Sequence, residues 1–274
     1  MFDSSGVKYG APLVADDHQA SLNYASYLAL DEVLGAQRPR SDEHDELLFI
    51  VIHQVYELWF KQLLHEGARL QRCLDAGDGG HGLHTLKRML TILKTIVAQI
   101  DVLETMTPRQ FTAFRDRLDA ASGFQSAQFR ELEALLGRRE GSVLDHYAKD
   151  SAERARIAAA MRRPCLYDSL LRYLAGHGYD VPLDRDVTQP LAPSTAAQQA
   201  LLAVYRDDKE PAQVCERMVD LDEGVMEWRY RHVQMVRRTI GDRRGTGGSE
   251  GARYLAMTLL RPAFADLWAV RTEL

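Results

Sequence analysis

Residues 44–66 read HDELLFIVIHQVYELWFKQLLHE, and their apolar positions recur three and four residues apart. This spacing places the apolar side chains along one face of a helix. Ser41 and Asp42 stand just before the run as candidate N-caps, and the glycine-rich AGDGG at 76–80 interrupts it. The sequence therefore predicts a long helix from Ser41 to Cys73.

The same helical spacing continues on both sides of this segment, with almost no alternating runs of the strand type. We therefore predict an all-α fold. Further helices are expected at Tyr24–Leu34, at His84–Met106, from a Thr107 cap with Pro108 at the first helical position, at Ser126–Leu136, in two helices through Ala175, at Glu210–Ile240 and from Tyr254 to about Val270. A turn at Ala120–Gln125 and a connection at Gly176–Ser194 separate them.

The composition is that of a foldable, mildly acidic chain. Of its 274 residues, 46% are hydrophobic, which suffices for a full core, and the net charge of -5 without a basic stripe argues against nucleic acid or a membrane surface as partner. Three widely spaced cysteines indicate a reducing compartment rather than a disulfide framework. No signal sequence and no uncharged apolar stretch of about 18 residues is present, so we expect a cytoplasmic protein.

In the predicted last long helix, apolar residues advance by steps of three and four and form one stripe. The stripe contains Met218, Leu221, Val225, Trp228, His232 and Met235. His232 thus occupies a position that suits a hydrophobic side chain, and burying an imidazole costs free energy unless its nitrogens find partners. A metal on one nitrogen with an acceptor on the other would satisfy it, and so would ordinary core hydrogen bonds. The pattern leaves both interpretations open.

The long helix around residue 53 carries polar groups in its apolar middle. Phe49 and His53 lie one turn apart, as do His53 and Glu57, so an aromatic ring and an imidazole can face one cavity. Alternatively, His53 hydrogen bonds to a neighbouring helix. A zinc site is not indicated, because the HEXXH motif and a third ligand are missing.

Arg115 follows Phe111 by one helical turn. Its guanidinium could bind a carboxylate with two hydrogen bonds, or it could pair with Asp116 or Asp119 at the surface. Further along, GDRRGTGGSEG at 241–251 is too rich in glycine for regular structure and indicates a flexible loop near a site.

Five segments taken together resemble the tryptophan 2,3-dioxygenase family, in that family's order. They are YASYLALDEVLGAQ (24–37), HDELLFIVIHQVYELWFKQLLHE (44–66), LETMTPRQFTAFRDRLDAASGFQSAQFRELE (103–133), WRYRHVQMV (228–236) and GTGGSEGARYL (245–255). The strings HQxYELWFKQ, SGFQSxQFR and GTGGS are specific, and the resemblance runs from about Tyr24 to the C-terminus.

The resemblance implies a fold, a cofactor and a reaction. Members form a helical bundle around haem b and assemble as homotetramers in which an N-terminal segment reaches a neighbouring subunit. On this basis residues 1–274 are one haem-binding domain, with an N-terminal arm at 1–20 and an active-site loop at 241–251. The implied reaction inserts both atoms of dioxygen across the indole pyrrole double bond of L-tryptophan or a related amino acid. Its product, N-formylkynurenine, belongs to tryptophan catabolism by the kynurenine pathway.

The resemblance also implies roles for single residues. His232 matches the proximal ligand of the haem iron, and His53 matches the distal histidine that accepts a hydrogen bond from the indole nitrogen. By the same resemblance, Phe49 would pack against the indole ring and Arg115 would bind the substrate carboxylate. Thr246 would contact the substrate's ammonium and carboxylate groups as its loop closes.

The remaining implied site residues surround this group. Phe111 would also bind substrate, and Ser122 and Gly123 would line the distal side near dioxygen. Three further residues would reach the active site of a neighbouring subunit: Tyr24, Tyr27 and Leu28. Assembly and catalysis would then be coupled.

Two positions depart from the family's pattern: Ala25 stands where YGxYL has glycine, and Glu250 stands where GTGGSS has serine. Three other functions stay open at this point. One is a haem monooxygenase of the same family that converts a substituted tryptophan, such as beta-methyltryptophan, into an oxindole. Another is a haem-binding sensor without turnover, and the third is a helical scaffold whose histidines belong to the core.

Overall fold

The computed structural model describes residues 22–119, 121, 123–241, 243, 256 and 259–274. All regular structure in these residues is helical, which confirms the all-α prediction. The α-helices are α1 Tyr24–Leu28, α2 Leu30–Leu34, α3 His44–Asp75, α4 Gly79–Leu103, α5 Pro108–Arg115, α6 Ala127–Leu135, α7 Ala152–Ala160, α8 Leu166–Gly176, α9 Thr195–Asp207, α10 Glu210–Ile240 and α11 Ala265–Ala269. Short 3-10 helices cover Gly123–Gln125, Gly141–His146 and Val270–Glu273.

The described residues form two compact units, divided in sequence between Gln37 and Arg38. The first unit contains α1 and α2. Asn23 caps α1 by accepting the Ser26 N–H at 2.9 Å, while the Ser26 hydroxyl accepts the Asn23 N–H at 3.0 Å. Ala29 then adopts the left-handed conformation with φ 49°, so the single helix predicted here is two short ones. Neither contains a buried residue, and the single-domain assignment stays a prediction.

The second unit is built on α4, which packs along both α3 and α10. Its buried side chains advance by alternating steps of three and four residues, as a helix buried on one stripe requires, and include Leu86, Met89, Leu93, Ile96 and Ile100. α3 also packs against α6 and α8. These contacts hold the middle of α3 and the second half of α10 in fixed positions.

α3 begins at His44, later than predicted, and Glu43 at its N-cap makes no side-chain cap bond. The Ser41 hydroxyl donates instead to the carboxylate of Glu46, which is 1% exposed and also accepts two backbone N–H groups of this turn at 2.8 Å. The prediction that Ser41 or Asp42 caps the helix is therefore wrong, because a buried carboxylate takes the hydroxyl.

Two helices follow their local signals closely. α5 begins with Thr107 as N-cap and Pro108 at the first helical position, and the Thr107 hydroxyl accepts the Gln110 N–H at 3.3 Å. α10 spans Glu210–Ile240, as predicted. Both outcomes confirm boundaries that depend only on neighbouring residues.

Other boundaries differ from the prediction. α4 starts at Gly79 rather than His84, because the Asp78 side chain caps it by accepting the His81 N–H at 3.0 Å. α9 was not predicted, although Ser194 caps it through its hydroxyl. The connection predicted at Gly176–Ser194, just before α9, is confirmed.

The C-terminal helix is shorter than the predicted Tyr254–Val270, whose first residue lies outside the described residues. Residues 259–264 are not helical. The buried carboxylate of Asp222 accepts the backbone N–H groups of Ala263 and Phe264 at 2.8–3.0 Å. Because these N–H groups donate to a side chain of α10, they do not make the backbone hydrogen bonds that would extend the C-terminal helix towards residue 259.

Within the described part of the chain, α3 is the one helix that could cross a membrane by length and composition. Such a single helix is weak evidence, since a core helix passes the same test. Because α3 packs against α4, α6 and α8, its contacts are those of a helix in a bundle.

Candidate active site

A cavity of about 280 Å³ lies in the second unit, bordered by α3, α5, α6, α10 and the turn Gly123–Gln125. Part of its wall is aromatic: Phe60, Phe129 and Trp228 pack with ring centroids 4.8–6.0 Å apart. His53 and His232 line the same space from different helices. A concave, largely apolar space with a few polar groups is the usual form of a small-molecule site.

His53 projects from the middle of α3. Its Nδ1 lies 2.7 Å from the carbonyl oxygen of Phe49, so Nδ1–H donates and the neutral ring keeps Nε2 as an acceptor. Burial lowers the pKa of His53 below its ordinary 6.5, although the Phe49 carbonyl and the Glu57 carboxylate act in the opposite direction. His53 is therefore a neutral hydrogen-bond acceptor at neutral pH.

Aromatic rings from α3 and α5 meet beside His53. The centroids of Phe49, Phe111 and Phe114 lie 5.5–5.7 Å apart, and the Phe49 ring lies 4.1 Å from the His53 ring. Phe114 is fully buried, whereas Phe49 and Phe111 reach the cavity. Arg115, the last residue of α5, is half-buried and also lines it, so a guanidinium stands at the edge of an aromatic wall.

His232 lines the cavity from α10. Its ring stacks on Trp228 with centroids 5.2 Å apart and planes 3° apart, and no described residue hydrogen bonds to it. Burial lowers the pKa of His232 from 6.5 to about 4, and the charge of His53 acts in the same direction. The imidazole is therefore neutral near pH 7 and has a lone pair for an electrophile.

The stripe predicted on α10 exists, and its two halves differ. Met218, Leu221 and Val225 are at most 6% exposed and belong to the core. The second half, Trp228, His232 and Met235, borders the cavity. The N-terminal half of this stripe therefore belongs to the core, and the C-terminal half forms part of the cavity wall.

Gly123 begins the 3-10 turn that closes another side of the cavity. A Cβ atom built at Gly123 would meet no heavy atom within 4 Å, so the backbone faces open space. Small molecules can approach the main chain closely at such a position.

Comparisons with known proteins show the family of the chain. A model of the family described as "Tryptophan 2,3-dioxygenase" matches residues 12–172 and 185–274. A tryptophan 2,3-dioxygenase of Anaeromyxobacter dehalogenans is 68% identical over 262 residues, which cover 94% of this chain and 98% of the relative. The enzyme of the same name from Herpetosiphon aurantiacus is 56% identical over 259 residues, covering 93% and 99%. The chain belongs to the tryptophan 2,3-dioxygenase family.

The family's cofactor, haem b, can be tested against the residues present. A histidine that holds haem iron must be neutral and must have an uncommitted nitrogen, and His232 meets both conditions. The surrounding aromatic wall suits a flat apolar ring system. In the described part of the chain, no group of three or more His, Cys, Asp or Glu residues could hold a metal ion by itself. The residues present therefore fit haem.

Most of the site residues that the resemblance implied lie together in this cavity: Phe49, His53, Phe111, Arg115, Gly123 and His232. Ser122, Thr246 and the divergent Glu250 lie outside the described residues. Tyr24, Tyr27 and Leu28 belong to the first unit, as does the divergent Ala25. Their roles stay predictions.

Several polar residues that border the cavity were not predicted to do so. Glu57 is one: the Gln128 amide donates to its carboxylate at 2.8 Å and to its backbone carbonyl at 2.9 Å. Others are Arg130, Glu133 and Arg229, which form a buried chain of ion pairs. Arg229 could have been noticed because it precedes His232 by nearly one helical turn.

Proposed function

We propose that this protein is a cytoplasmic haem-dependent enzyme that inserts both atoms of dioxygen into L-tryptophan and produces N-formylkynurenine. The observation that carries the proposal is the placement of His53 and His232 on one aromatic cavity, in a chain of this family. The high identity to relatives named as dioxygenases favours this reaction over the monooxygenase and the sensor.

Haem b would be held by His232 and would supply ferrous iron that binds and activates dioxygen. The neighbouring Trp228 stacks on the imidazole and restricts its rotation. The low pKa of His232, about 4, keeps its nitrogen free of a competing proton at neutral pH.

His53, Phe49 and Phe111 would position the indole. Nε2 of His53 accepts the indole N–H, because its Nδ1–H is already committed to the Phe49 carbonyl. The two phenylalanine rings pack against the apolar faces of the substrate and exclude water.

Arg115 would bind the substrate carboxylate with two hydrogen bonds at the edge of this aromatic wall. Thr246 would contact the ammonium and carboxylate groups, and Ser122 and Gly123 would line the side on which dioxygen binds. Together these contacts orient the pyrrole double bond towards dioxygen, and positioning is the main contribution of the protein.

The reaction balances without an external reductant. The bond between C2 and C3 of the indole breaks and each carbon receives one oxygen atom of dioxygen, so both atoms appear in the product. No proton needs to be removed by a side chain, so His53 orients the substrate and does not act as a base.

Assembly as a homotetramer is part of the proposal. In the first unit, Tyr24 and Tyr27 are 76% and 73% exposed, and Leu28 is 39% exposed. Aromatic side chains on short helices without buried residues suit contact with a second copy of the chain. We propose that these three residues contribute to a neighbouring subunit's site.

The decisive experiment incubates the purified, haem-loaded protein with L-tryptophan under labelled dioxygen and measures product mass. A ring-opened product with both labelled atoms is expected. A single labelled atom in an oxindole supports the monooxygenase, and a spectral shift without product supports the sensor. Absence of a Soret band after haem reconstitution supports the scaffold. In parallel, His232→Ala should lose haem, whereas His81→Ala, at an exposed position of α4, should retain it.

A further inference from the structure

A buried chain of charged and aromatic side chains connects α10 to the turn Gly123–Gln125. Resting on the proposed function, we propose that Glu133 is a positioning residue that couples the iron-binding helix to the turn near dioxygen. It would act through Arg229 on one side and through Arg130 on the other. Neither the family resemblance nor the comparisons assign it a role.

The first link joins α6 to α10. Oε1 of Glu133 lies 2.6 Å from Nη2 of Arg229, and both side chains are buried, with 15% and 7% of their surfaces exposed. Arg229 precedes His232 by nearly one turn of the same helix, so both side chains project towards the cavity. Among the described residues, Glu133 is the one carboxylate within ion-pair distance of Arg229.

The second link joins α6 to the turn. Oε2 of Glu133 lies 2.6 Å from Nη1 of Arg130, whose guanidinium carbon stands 4.3 Å from the centre of the Phe124 ring. Nη2 of Arg130 also donates to the Phe124 carbonyl oxygen at 3.3 Å. The turn is thus held by its side chain and by its backbone at the same time.

The carboxylate is the central member because it separates two buried positive charges. In the part of the chain that the structure describes, Glu133 is the one carboxylate within ion-pair distance of both Arg130 and Arg229. Without it, these two buried positive charges would have no protein anion between them, and a buried unpaired charge is unfavourable. The neighbouring Arg138 is affected by the same charges. Burial and the charge of Arg229 lower the pKa of Arg138 to about 10, while the charge of Glu133 acts in the opposite direction.

A displacement at Glu133 would therefore reach both sides of the cavity. Moving Arg229 alters the stretch of α10 that orients the His232 imidazole. Moving Arg130 removes its contacts with the ring and the carbonyl oxygen of Phe124, next to Gly123, while the His146 ring stays 4.6 Å from the Phe124 ring. A purely local structural role would alter stability without changing either of these two regions.

The principal test compares Glu133→Gln with the wild-type holoprotein. Glutamine keeps the shape and one acceptor but removes the charge. We expect retained helical content and bound haem, a shifted iron–histidine stretching band in the resonance Raman spectrum, and a severalfold higher KM for dioxygen with little change in the KM for L-tryptophan. An unchanged band together with an unchanged dioxygen KM would overturn the proposal.

Two further variants keep the test decisive. Glu216→Gln breaks an exposed ion pair of the same 2.6 Å length, to Arg271, and should change neither readout. If Glu133→Gln does not fold, Arg130→Lys retains the charge but loses the planar stacking on Phe124. It should raise the dioxygen KM while leaving the iron–histidine band unchanged, and an unaltered KM would refute the link to the turn. Failure of the wild type to bind haem or oxidise tryptophan would refute the proposed function itself.

Discussion

His53 donates its Nδ1–H to the carbonyl oxygen of Phe49 over 2.7 Å, so one turn of α3 determines the tautomer of a cavity imidazole. The same turn brings the two rings to 4.1 Å. The acceptor Nε2 and the aromatic surface for an indole are therefore produced by one rigid element. Preorganisation of this kind fixes the groups that would contact the indole before a substrate binds.

Replacing His53 with alanine should lower turnover while haem stays bound. Loss of one hydrogen bond costs about 1 kcal/mol, or roughly a fivefold effect on kcat/KM. The matched comparison uses 1-methyltryptophan, which has no indole N–H. The wild type should prefer L-tryptophan over this analogue, and the preference should largely disappear in the variant. A variant that lacks haem, or one that keeps the full preference, would contradict the assigned role.

Substitution of Arg115 by methionine should weaken substrate binding. A hydrogen bond to a charged group contributes about 1.5–3 kcal/mol, so KM for L-tryptophan should rise roughly tenfold to a hundredfold. Tryptamine, which lacks the carboxylate, should be affected much less by the change. Arg117→Met, at an exposed position two residues later, is the control. Equal losses for both substrates would argue that Arg115 does not bind the carboxylate.

Acid should destabilise the haem-free protein through His232. Its pKa is about 4 in the folded chain against 6.5 in the unfolded one, so in this interval the unfolded chain binds more protons. The free energy of unfolding must then decrease as pH falls from 6.5 towards 4. The lowered pKa of His53 acts in the same direction. Urea titrations at several pH values should show that the free energy of unfolding changes less with pH in His232→Leu than in the wild type. An identical pH dependence in the two proteins would disprove the lowered pKa of His232.

Asp222 should be one of the chain's most sensitive structural positions. It is 1% exposed and accepts the N–H groups of Ala263 and Phe264 and the indole N–H of Trp268 at 2.8–3.0 Å. Asp222→Ala leaves two buried backbone donors and the half-buried Trp268 indole N–H without an acceptor, a loss on the order of 3 kcal/mol. Asp220→Ala breaks an exposed pair on the same helix and should lower stability far less. Equal melting temperatures for the two variants would contradict this structural role of Asp222.

Several features of this protein follow from neighbouring residues alone. Thr107 and Pro108 start α5 through contacts within one turn, and the three-and-four spacing from Met218 to Met235 places those side chains on one face. Both signals are short-range, because caps and helical periodicity depend only on residues a few positions apart. The all-α class and the family resemblance are therefore properties that the amino-acid sequence determines by itself.

Only the tertiary structure decided which of these faces is a core and which is a cavity wall. Ser41 has the chemistry of a cap, yet Glu46 takes its hydroxyl, and the N–H groups of Ala263 and Phe264 are taken by Asp222 on another helix. Likewise, the ion pair that accompanies the burial of Arg229 is with Glu133 on α6, 96 residues away in sequence. The physical reason is that burial and hydrogen-bond partners depend on residues distant in sequence, which become neighbours only when the helices pack.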